Sequence, residues 1–325
     1  MSAVFFYLVL FFWYLMSLLP FRILYCISDF LYYPIYYIAR YRRKIVRKNL
    51  TNSFPEKSMD EIISIEKRFY HALCDYFVET MKFYGMSKER VRRRLQFTGL
   101  DEVNAAIERN QSVVVYMAHT FNWEYATSMP LWLNHENLAI GQIYHPLENK
   151  RFDNLFKKLR NQYGSENIAM AATLRRIVEI GKQGQKFLIG FIADQVPTWE
   201  AINHWLTFFN QETPVFTGTE KIARRTRSAV FFLRFKRIRR GKYIAHFEPM
   251  ADDASTLPEL ELTNQYYKIL EESIKESPEL WLWTHNRWKR TREGQIAREK
   301  KRIEDRRILA EREKARKEKE KQKDV

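Results

Sequence analysis

Short apolar runs alternate with amphipathic stretches through the middle of the chain. Four runs are short enough for buried strands: VVVYMA at 113–118, LAIGQIYH at 138–145, FLIGFIA at 187–193 and AVFFLRF at 229–235. Apolar positions at helical spacing predict helices over 123–133, 152–163, 172–182 and 219–227. Because strands alternating with helices are typical of α/β proteins, we predict a central, mostly parallel sheet that is covered by helices.

The segments on either side of this alternation have different patterns. Residues 45–95 are predicted to be helical, with Ser58 as the cap of an amphipathic helix. The sequence FFLRFKRIRRGKYIAHFEPM predicts a β-hairpin that turns near Arg240 and Gly241, and PELELTNQYYKILEESIKESP predicts another helix. Beyond Thr291, 21 of the 34 residues are Glu, Lys or Arg, which predicts a solvated tail that is helical or disordered.

The N-terminal segment is strongly apolar. Residues 3–19 carry no charge and reach the lower length limit for a membrane-spanning helix. The aromatic segment that follows ends in a basic cluster at 40–44, and basic residues favour the cytoplasmic side of a membrane. We therefore expect an N-terminal membrane helix and anchor (1–44), a folded domain (45–290) in the cytoplasm and a charged tail (291–325). A helix lying in the membrane plane or packed on the domain is the alternative.

Charge and cysteine content narrow the possible partners. The 325 residues include 55 Lys and Arg against 39 Asp and Glu, a net charge of +16. The residues from Arg290 onward hold 15 basic and nine acidic ones, so the rest of the chain, with 40 and 30, is basic in its own right. This predicts anionic partners such as a membrane surface, an acidic protein or a nucleic acid. Two cysteines exclude a disulfide framework, and no Cys/His spacing is typical of a zinc site, so no metal is expected.

The segment AHTFNWEY, residues 118–125, places a histidine at the end of the first predicted strand. Functional groups of α/β sheets gather where strands end and helices begin. His119 is suited to taking a proton near neutral pH, and a carboxylate at Glu124 can fix its tautomer and balance its charge. A structural histidine and a helix-capping glutamate would give the same sequence pattern. Spacing alone therefore leaves both a catalytic and a structural interpretation open.

Other catalytic motifs are missing from the sequence. It contains no G-x-S-x-G, no GxxxxGKS and no GxGxxG, and neither cysteine lies near a suitable base in the chain. What remains is a His/Glu pair that activates a substrate hydroxyl directly. Two other classes stay open as alternatives: a membrane-anchored glycosyltransferase that uses Asp252 and Asp253, and a membrane adaptor whose charged tail binds RNA or ribosomes.

AHTFNWEY resembles the H-x-x-x-x-[DE] motif of glycerolipid acyltransferases, in the form typical of the lipid A biosynthesis (lauroyl or myristoyl) acyltransferases. Four further blocks resemble the same family in the same order: YRRKIVRKNLTNSFP (41–55), FIADQ (191–195), TPVFTGTEKIARRTRSAVFFLRF (213–235) and WLWTHNRWK (281–289). The resemblance covers roughly residues 1–290. Two features depart from it: Thr120 and Phe121 replace a glycine-bearing loop, and the stretch after Gln195 lacks a Gly/Pro-rich run.

The resemblance implies transfer of a fatty acyl group from an acyl carrier protein or CoA thioester to a hydroxyl of a lipid. A lipid A precursor is the expected acceptor, with a lysophospholipid or an aminolipid as alternatives. It implies no cofactor besides the thioester, no nucleic-acid partner, and a place on the cytoplasmic face of the bacterial inner membrane.

The resemblance also implies roles for individual residues. His119 is the expected base and Glu124 its orienting carboxylate, while Arg160 stabilises an oxyanion or grips a phosphate. Substrate or oxyanion contacts are expected from Asn122, Asp194, Gln195, Thr217 and Gly218, the last two through amides at a helix start. A basic region predicts a surface for an acidic carrier protein or lipid head groups, and its members are Arg224, Arg225, Arg227, Arg234, Lys236 and Arg237.

Overall fold

A seven-stranded sheet lies at the centre of the protein. The computed structural model describes residues 3–133 and 135–321. The strands are β1 (Leu95–Thr98), β2 (Val113–Met117), β3 (Leu138–Tyr144), β4 (Glu166–Ala169), β5 (Lys186–Ile192), β6 (His204–Phe208), β7 (Gln211–Val215), β8 (Ala229–Arg239) and β9 (Lys242–Ala251). The order in the large sheet is β1-β9-β8-β2-β5-β3-β4, while β6 and β7 form a separate antiparallel pair. The five neighbouring strands β8, β2, β5, β3 and β4 run parallel to one another, so the predicted mostly parallel sheet is confirmed.

Helices lie on both faces of this sheet. The predicted helices after β3, before β5 and before β8 are all present, and so is the capping box that starts at Ser58. The segment predicted to be helical over 123–133 is instead a 3₁₀ helix, Trp123–Leu131, which contains Pro130. The α-helices are α1 (Ala3–Leu18), α2 (Phe21–Tyr33), α3 (Arg43–Ser53), α4 (Met59–Phe83), α5 (Lys88–Arg92), α6 (Leu100–Glu108), α7 (Lys150–Asn161), α8 (Thr173–Lys182), α9 (Gly218–Thr226), α10 (Glu261–Glu276) and α11 (Arg292–Lys321).

The central strand β2 is buried on both faces, which explains its unbroken apolar run. Val114 and Tyr116 belong to one core, shared with α3, α4 and α10. Val113, Val115 and Met117 belong to the opposite core, shared with α6 and α7. Because both faces are covered, the first partly exposed side chain after β2 is that of His119, where the chain has left the sheet.

The N-terminal helices α1 and α2 pack against α4. From α1, Phe6 and Trp13 are buried and contact Phe152 and Phe156 of α7 through edge-on ring pairs. Many other side chains of α1 and α2 are large, apolar and exposed, namely Val4, Phe5, Tyr7, Leu8, Phe11, Phe12, Tyr14, Leu15, Leu18, Ile23, Phe30 and Tyr33. Within residues 3–133 and 135–321, none of the helices combines the length and the apolar character needed to cross a membrane.

The charged C-terminal segment is helical from Arg292 to Lys321, and the last four residues of the predicted tail lie outside the described part of the chain. Its first turns contact the β6–β7 pair, where the Trp205 indole donates to Gln295. This pair was not predicted. Phe209 and Asn210 connect its strands with φ angles of 50° and 58°. Turns with two positive φ angles are usually formed by sequences such as Asn-Gly, so Phe-Asn does not predict one.

Candidate active site

His119 and Asp194 meet at the carboxyl edge of the sheet. β2 and β5 are parallel neighbours, and Met117 is in register with Ile192. Each candidate residue follows its strand by two positions, after Ala118 and Ala193 respectively. The strand register therefore brings the two side chains together although they are 75 positions apart in the chain.

The imidazole and the carboxylate form a directed hydrogen-bonded pair. Nδ1 of His119 lies 2.7 Å from Oδ1 of Asp194, and the backbone N–H of His119 donates to Oδ2 at 3.1 Å. The Asp194 side chain is only 2% exposed, whereas that of His119 is 19% exposed. Burial alone would raise the pKa of the Asp194 carboxyl, but the charge and hydrogen bonds of His119 and a bond from Trp281 hold this pKa below its usual value.

An ionised Asp194 accepts a hydrogen bond from a protonated Nδ1 of His119. In the neutral imidazole, Nε2 then carries the lone pair. The Gln195 amide nitrogen lies 3.3 Å from Nε2 and is placed to orient that side of the ring. The Trp123 ring contacts the imidazole edge-on at a centroid distance of 4.9 Å and stacks on Tyr76 at 4.4 Å. Nε2, with the Gln195 amide as its neighbour, is therefore the ring nitrogen left to accept a proton, on a side chain that is partly exposed.

Glu124 has a different partner from the one expected. Its two carboxylate oxygens accept from Nε and Nη2 of Arg160 at 2.8 and 2.7 Å, and its side chain is 2% exposed. The predicted contact between Glu124 and His119 is thus corrected: the carboxylate that hydrogen-bonds His119 is that of Asp194. Successive residues of a 3₁₀ helix point about 120° apart, so when Trp123 contacts the imidazole, Glu124 is turned away towards α7.

Arg160 forms a largely buried ion pair with Glu124. Burial opposes the charge on its guanidinium, but the charge and hydrogen bonds of Glu124 raise the pKa above its usual value. A bidentate pair fixes the plane of the guanidinium. The carboxylate that holds Arg160 is therefore that of Glu124.

The loop that carries His119 is fastened to the segment after α10. Thr120 forms a single antiparallel bridge with Trp281, and the N–H of Leu282 donates to the carbonyl of His119 at 3.0 Å. The indole of Trp281 donates to Oδ2 of Asp194 at 2.8 Å. Trp281 lies in the WLWTHNRWK block, which was noted for resemblance only, so its contact with the site was missed.

Replacing Trp281 by phenylalanine removes that hydrogen bond and keeps most of the ring. We expect a roughly 10- to 100-fold fall in activity, since hydrogen bonds to charged groups contribute about 1.5–3 kcal/mol. Because the bond favours ionised Asp194, its loss should raise the carboxyl pKa. A more basic carboxylate stabilises the imidazolium more strongly, so the acid limb of the pH–rate profile, which reflects protonation of Nε2, should move to higher pH. Trp205→Phe is the matched control, because it removes an indole bond to Gln295 at the β6–β7 pair, in another part of the protein. An unshifted acid limb in Trp281→Phe would show a purely structural role.

Phe121 occupies a backbone position that favours glycine. Its φ is +42°, in the left-handed region that bulky side chains rarely adopt. The ring is buried against Tyr243 and Phe235, and its N–H donates to the carbonyl of Leu280 at 2.6 Å. The missing glycine of the expected loop is thus compensated by packing, and the turn that presents His119 is retained.

Asn122 lies behind this loop in a buried polar network. Its amide faces Thr80 and Glu79 of α4, at 3.4 and 3.5 Å. Glu79 also accepts from the hydroxyls of Tyr25 and Tyr243, at 2.7 and 2.8 Å. Burial raises the pKa of the Glu79 carboxyl to about 7, although both hydroxyls lower it. Glu79 had no sequence signal, because it is one acidic residue among several in an amphipathic helix.

Thr217 and Gly218 lie at the start of α9, without a side-chain cap. In the described part of the chain, neither forms a hydrogen bond with His119 or Asp194. The helix leads into the start of β8, so its first turn lies at the same edge of the sheet as the carboxyl ends of the parallel strands. Their predicted contact with an anionic group stays a prediction.

The predicted basic region does not form one free surface. Arg227 pairs with Asp253 at 2.8 Å, Arg234 with Glu248 at 2.7 Å, and Arg237 with Glu279 at 3.1 Å. Arg224 donates to the carbonyl of Leu257. Arg225 and Lys236 are exposed and have no ion pair among the described residues. The alternation of β8 explains the dispersal, since its basic residues point to both faces. Asp253, a candidate residue of the alternative glycosyltransferase, accepts a hydrogen bond from the Ser255 N–H and caps the 3₁₀ turn Ala254–Thr256.

A histidine that is hydrogen-bonded to a carboxylate at the carboxyl edge of an α/β sheet is suited to activating a hydroxyl for group transfer. A family model described as bacterial lipid A biosynthesis acyltransferase matches residues 1–290, and the chain belongs to this family. The predicted resemblance is thereby confirmed, and the protein is an acyltransferase that transfers groups other than aminoacyl groups.

Curated relatives agree with this assignment. A lipid A biosynthesis palmitoleoyltransferase of Escherichia coli (strain K12) is 26% identical over 251 residues, covering 76% of this chain and 79% of the relative. A lipid A biosynthesis acyltransferase of Shigella flexneri shows the same identity and coverage. A lipid A biosynthesis acyltransferase of Haemophilus influenzae (strain ATCC 51907 / DSM 11121 / KW20 / Rd) is 20% identical over 279 residues, covering 85% of each chain.

Proposed function

We propose that the protein transfers a fatty acyl chain from an acyl carrier protein or CoA thioester to a hydroxyl of a lipid A precursor. The observation that carries this proposal is the His119–Asp194 pair, in which Nε2 of a partly exposed histidine is left to accept a proton. The family of the chain supplies the reaction class. The basic body of the protein favours an acidic carrier protein as donor.

The transfer is direct. Nε2 of His119 takes the proton of the acceptor hydroxyl as its oxygen attacks the thioester carbonyl. The tetrahedral intermediate then expels the thiolate, which takes the proton from the imidazolium. One ester bond forms, one thioester bond breaks and one thiol is released. Asp194 keeps the proton on Nδ1 and balances the imidazolium charge.

Arg160 supplies positive charge for the oxyanion of that intermediate. Its Nε and Nη2 are engaged by Glu124, which leaves the donors on Nη1 for the substrate. In this assignment Glu124 orients Arg160 and acts on the reaction through it. Asn122 and Gln195 position the loop and the imidazole, respectively.

An acyl-enzyme on cysteine has no support in the site. Cys74 is buried in α4, and burial raises the pKa of its thiol to about 12, so the nucleophilic thiolate is scarce. Cys26 lies on α2, in the N-terminal helical pair. Direct transfer to the lipid hydroxyl fits the side chains at the carboxyl edge better.

The N-terminal helices bring the site to its lipid. The exposed apolar side chains of α1 and α2 form a surface that is suited to the membrane interface. A place on the cytoplasmic face of the bacterial inner membrane would expose the site to the soluble acyl donor and to the membrane-held acceptor at once.

A coupled assay tests this function. Purified protein with acyl carrier protein thioester and a lipid A precursor should release free thiol only when the acceptor is present. Mass spectrometry should show the acceptor heavier by one acyl group. A burst of thiol in the absence of acceptor would indicate an acyl-enzyme and contradict direct transfer. A parallel reaction with the CoA thioester identifies the donor.

A further inference from the structure

A basic pocket lies where the β8–β9 turn meets the N-terminal helices. Its volume is about 580 Å³. Four parts of the chain form it: the connection between α1 and α2, the end of α4, the segment from α5 to β1, and the hairpin turn. The lining residues are Leu18, Pro20, Phe21, Lys82, Arg90, Arg93, Arg94, Arg239, Arg240, Gly241 and Lys242. His119 and Asp194 are not among them, so this pocket is separate from the proposed catalytic pair.

The charge in the pocket is largely unbalanced. Seven of the lining residues are basic and none is acidic. Arg240 is neutralised by Asp29 and Asp75, which lie behind it. No ion pair within the described residues engages Lys82, Arg90, Arg93, Arg239 or Lys242. Confining several like charges is unfavourable unless an anion joins them, so the pocket is suited to a multiply charged anionic ligand.

The pocket is held in shape by close packing. Arg94 donates to the carbonyl of Gly241 at 2.8 Å, and its guanidinium lies 3.0 Å from the ring centre of Phe21. Gly241 has a φ of +74°, and a Cβ there would overlap the Tyr25 hydroxyl and Arg94. The hairpin turn is therefore fixed against α2 and β1, and the basic side chains project from a rigid base.

The apolar wall of the pocket indicates the kind of anion. Leu18, Pro20 and Phe21 continue into the exposed apolar surface of α1 and α2, which includes Phe11 and Leu15. A ligand with phosphate at one end and hydrocarbon at the other can use both parts at once. A free anion would use only the basic part.

We propose that this pocket binds the phosphate group of an anionic lipid while the lipid chains lie along the apolar surface of α1 and α2. Arg93, Arg239 and Lys242 are exposed at its rim and are the principal phosphate donors. The proposal goes beyond acyl transfer and is tested without an acyl donor, so its failure would leave the proposed reaction untouched.

Flotation of the full-length protein with vesicles measures this binding. We expect tighter binding to phosphatidylcholine vesicles that contain phosphatidic acid than to pure phosphatidylcholine vesicles. The triple variant Arg93→Gln/Arg239→Gln/Lys242→Gln should bind the phosphatidic acid vesicles at least roughly tenfold more weakly, because it removes three charged hydrogen-bond donors. Binding to pure phosphatidylcholine should change little, because the apolar surface is intact.

A charge-matched control separates the pocket from the overall field. Lys158→Gln/Arg175→Gln/Lys182→Gln removes three exposed basic residues of α7 and α8 and should bind as the wild type does. Equal losses in both triple variants would overturn the proposal, because the attraction would then be non-specific. Retained phosphatidic acid preference in the pocket variant would overturn it as well.

Competition with a soluble anion identifies the source of the phosphate. Inorganic phosphate, added at the concentration of phosphatidic acid headgroups, should leave the vesicle-bound fraction nearly unchanged if hydrocarbon contributes to binding. Complete displacement at that concentration would show a site for free phosphate and contradict a lipid site.

Discussion

Replacement of His119 by alanine is expected to lower kcat/KM for acyl transfer roughly 10⁴-fold, the upper range for a general base. The side chain is 19% exposed and its removal leaves the buried cores intact, so folding should be retained. Measurement of acyl transfer to a lipid A precursor by mass spectrometry, with circular dichroism of the variant, checks both parts. Near-wild-type transfer would show that His119 is not the base.

His204 offers a matched control for this substitution. It lies on β6 and contacts Asn264, in a different part of the protein. His204→Ala removes the same chemical group from a partly exposed position and should leave kcat/KM near the wild-type value. A large loss in both variants would indicate that histidine removal acts through stability.

Replacement of Asp194 by asparagine is expected to lower kcat/KM roughly 10³- to 10⁴-fold. Asparagine keeps the shape and can still accept from Trp281, but it removes the negative charge and permits the wrong imidazole tautomer. The corresponding Glu124→Gln variant should lose less, about 10- to 100-fold, because Glu124 acts through Arg160. Steady-state kinetics of the two variants, side by side, provide the comparison.

The opposite ranking would restore the assignment that the sequence suggests. If Glu124→Gln were the slower variant, the carboxylate of the H-x-x-x-x-E segment would be the one that matters for His119. The bidentate contact between Glu124 and Arg160 would then have to be remade when substrate binds.

The sequence predicted the parts of the fold that have strong local patterns. The runs at 113–118 and 187–193 correspond to the central strands, because both are apolar, short and buried on two faces. The hairpin at Gly241 was also predicted from its turn residues. The β6–β7 pair was missed because its strands are short and partly exposed, and its turn lacks glycine.

The site was predicted only as far as single residues. His119 and Asp194 each follow an apolar strand and an alanine, so their equal offsets were visible in the chain. Their pairing depends on the register of β2 against β5, which a single sequence does not encode locally. Glu124 was the nearer carboxylate in sequence, but a 3₁₀ turn directs it elsewhere. Trp281 reaches the site through a long-range contact with no local signal.

The double variant His119→Ala/Asp194→Asn gives the most direct test of the central claim, that Asp194 acts through the imidazole of His119. Groups that act as one unit are not additive, so kcat/KM of the double variant should equal that of His119→Ala alone. If the two losses multiply instead, Asp194 contributes independently of His119, and the proposed catalytic pair is wrong.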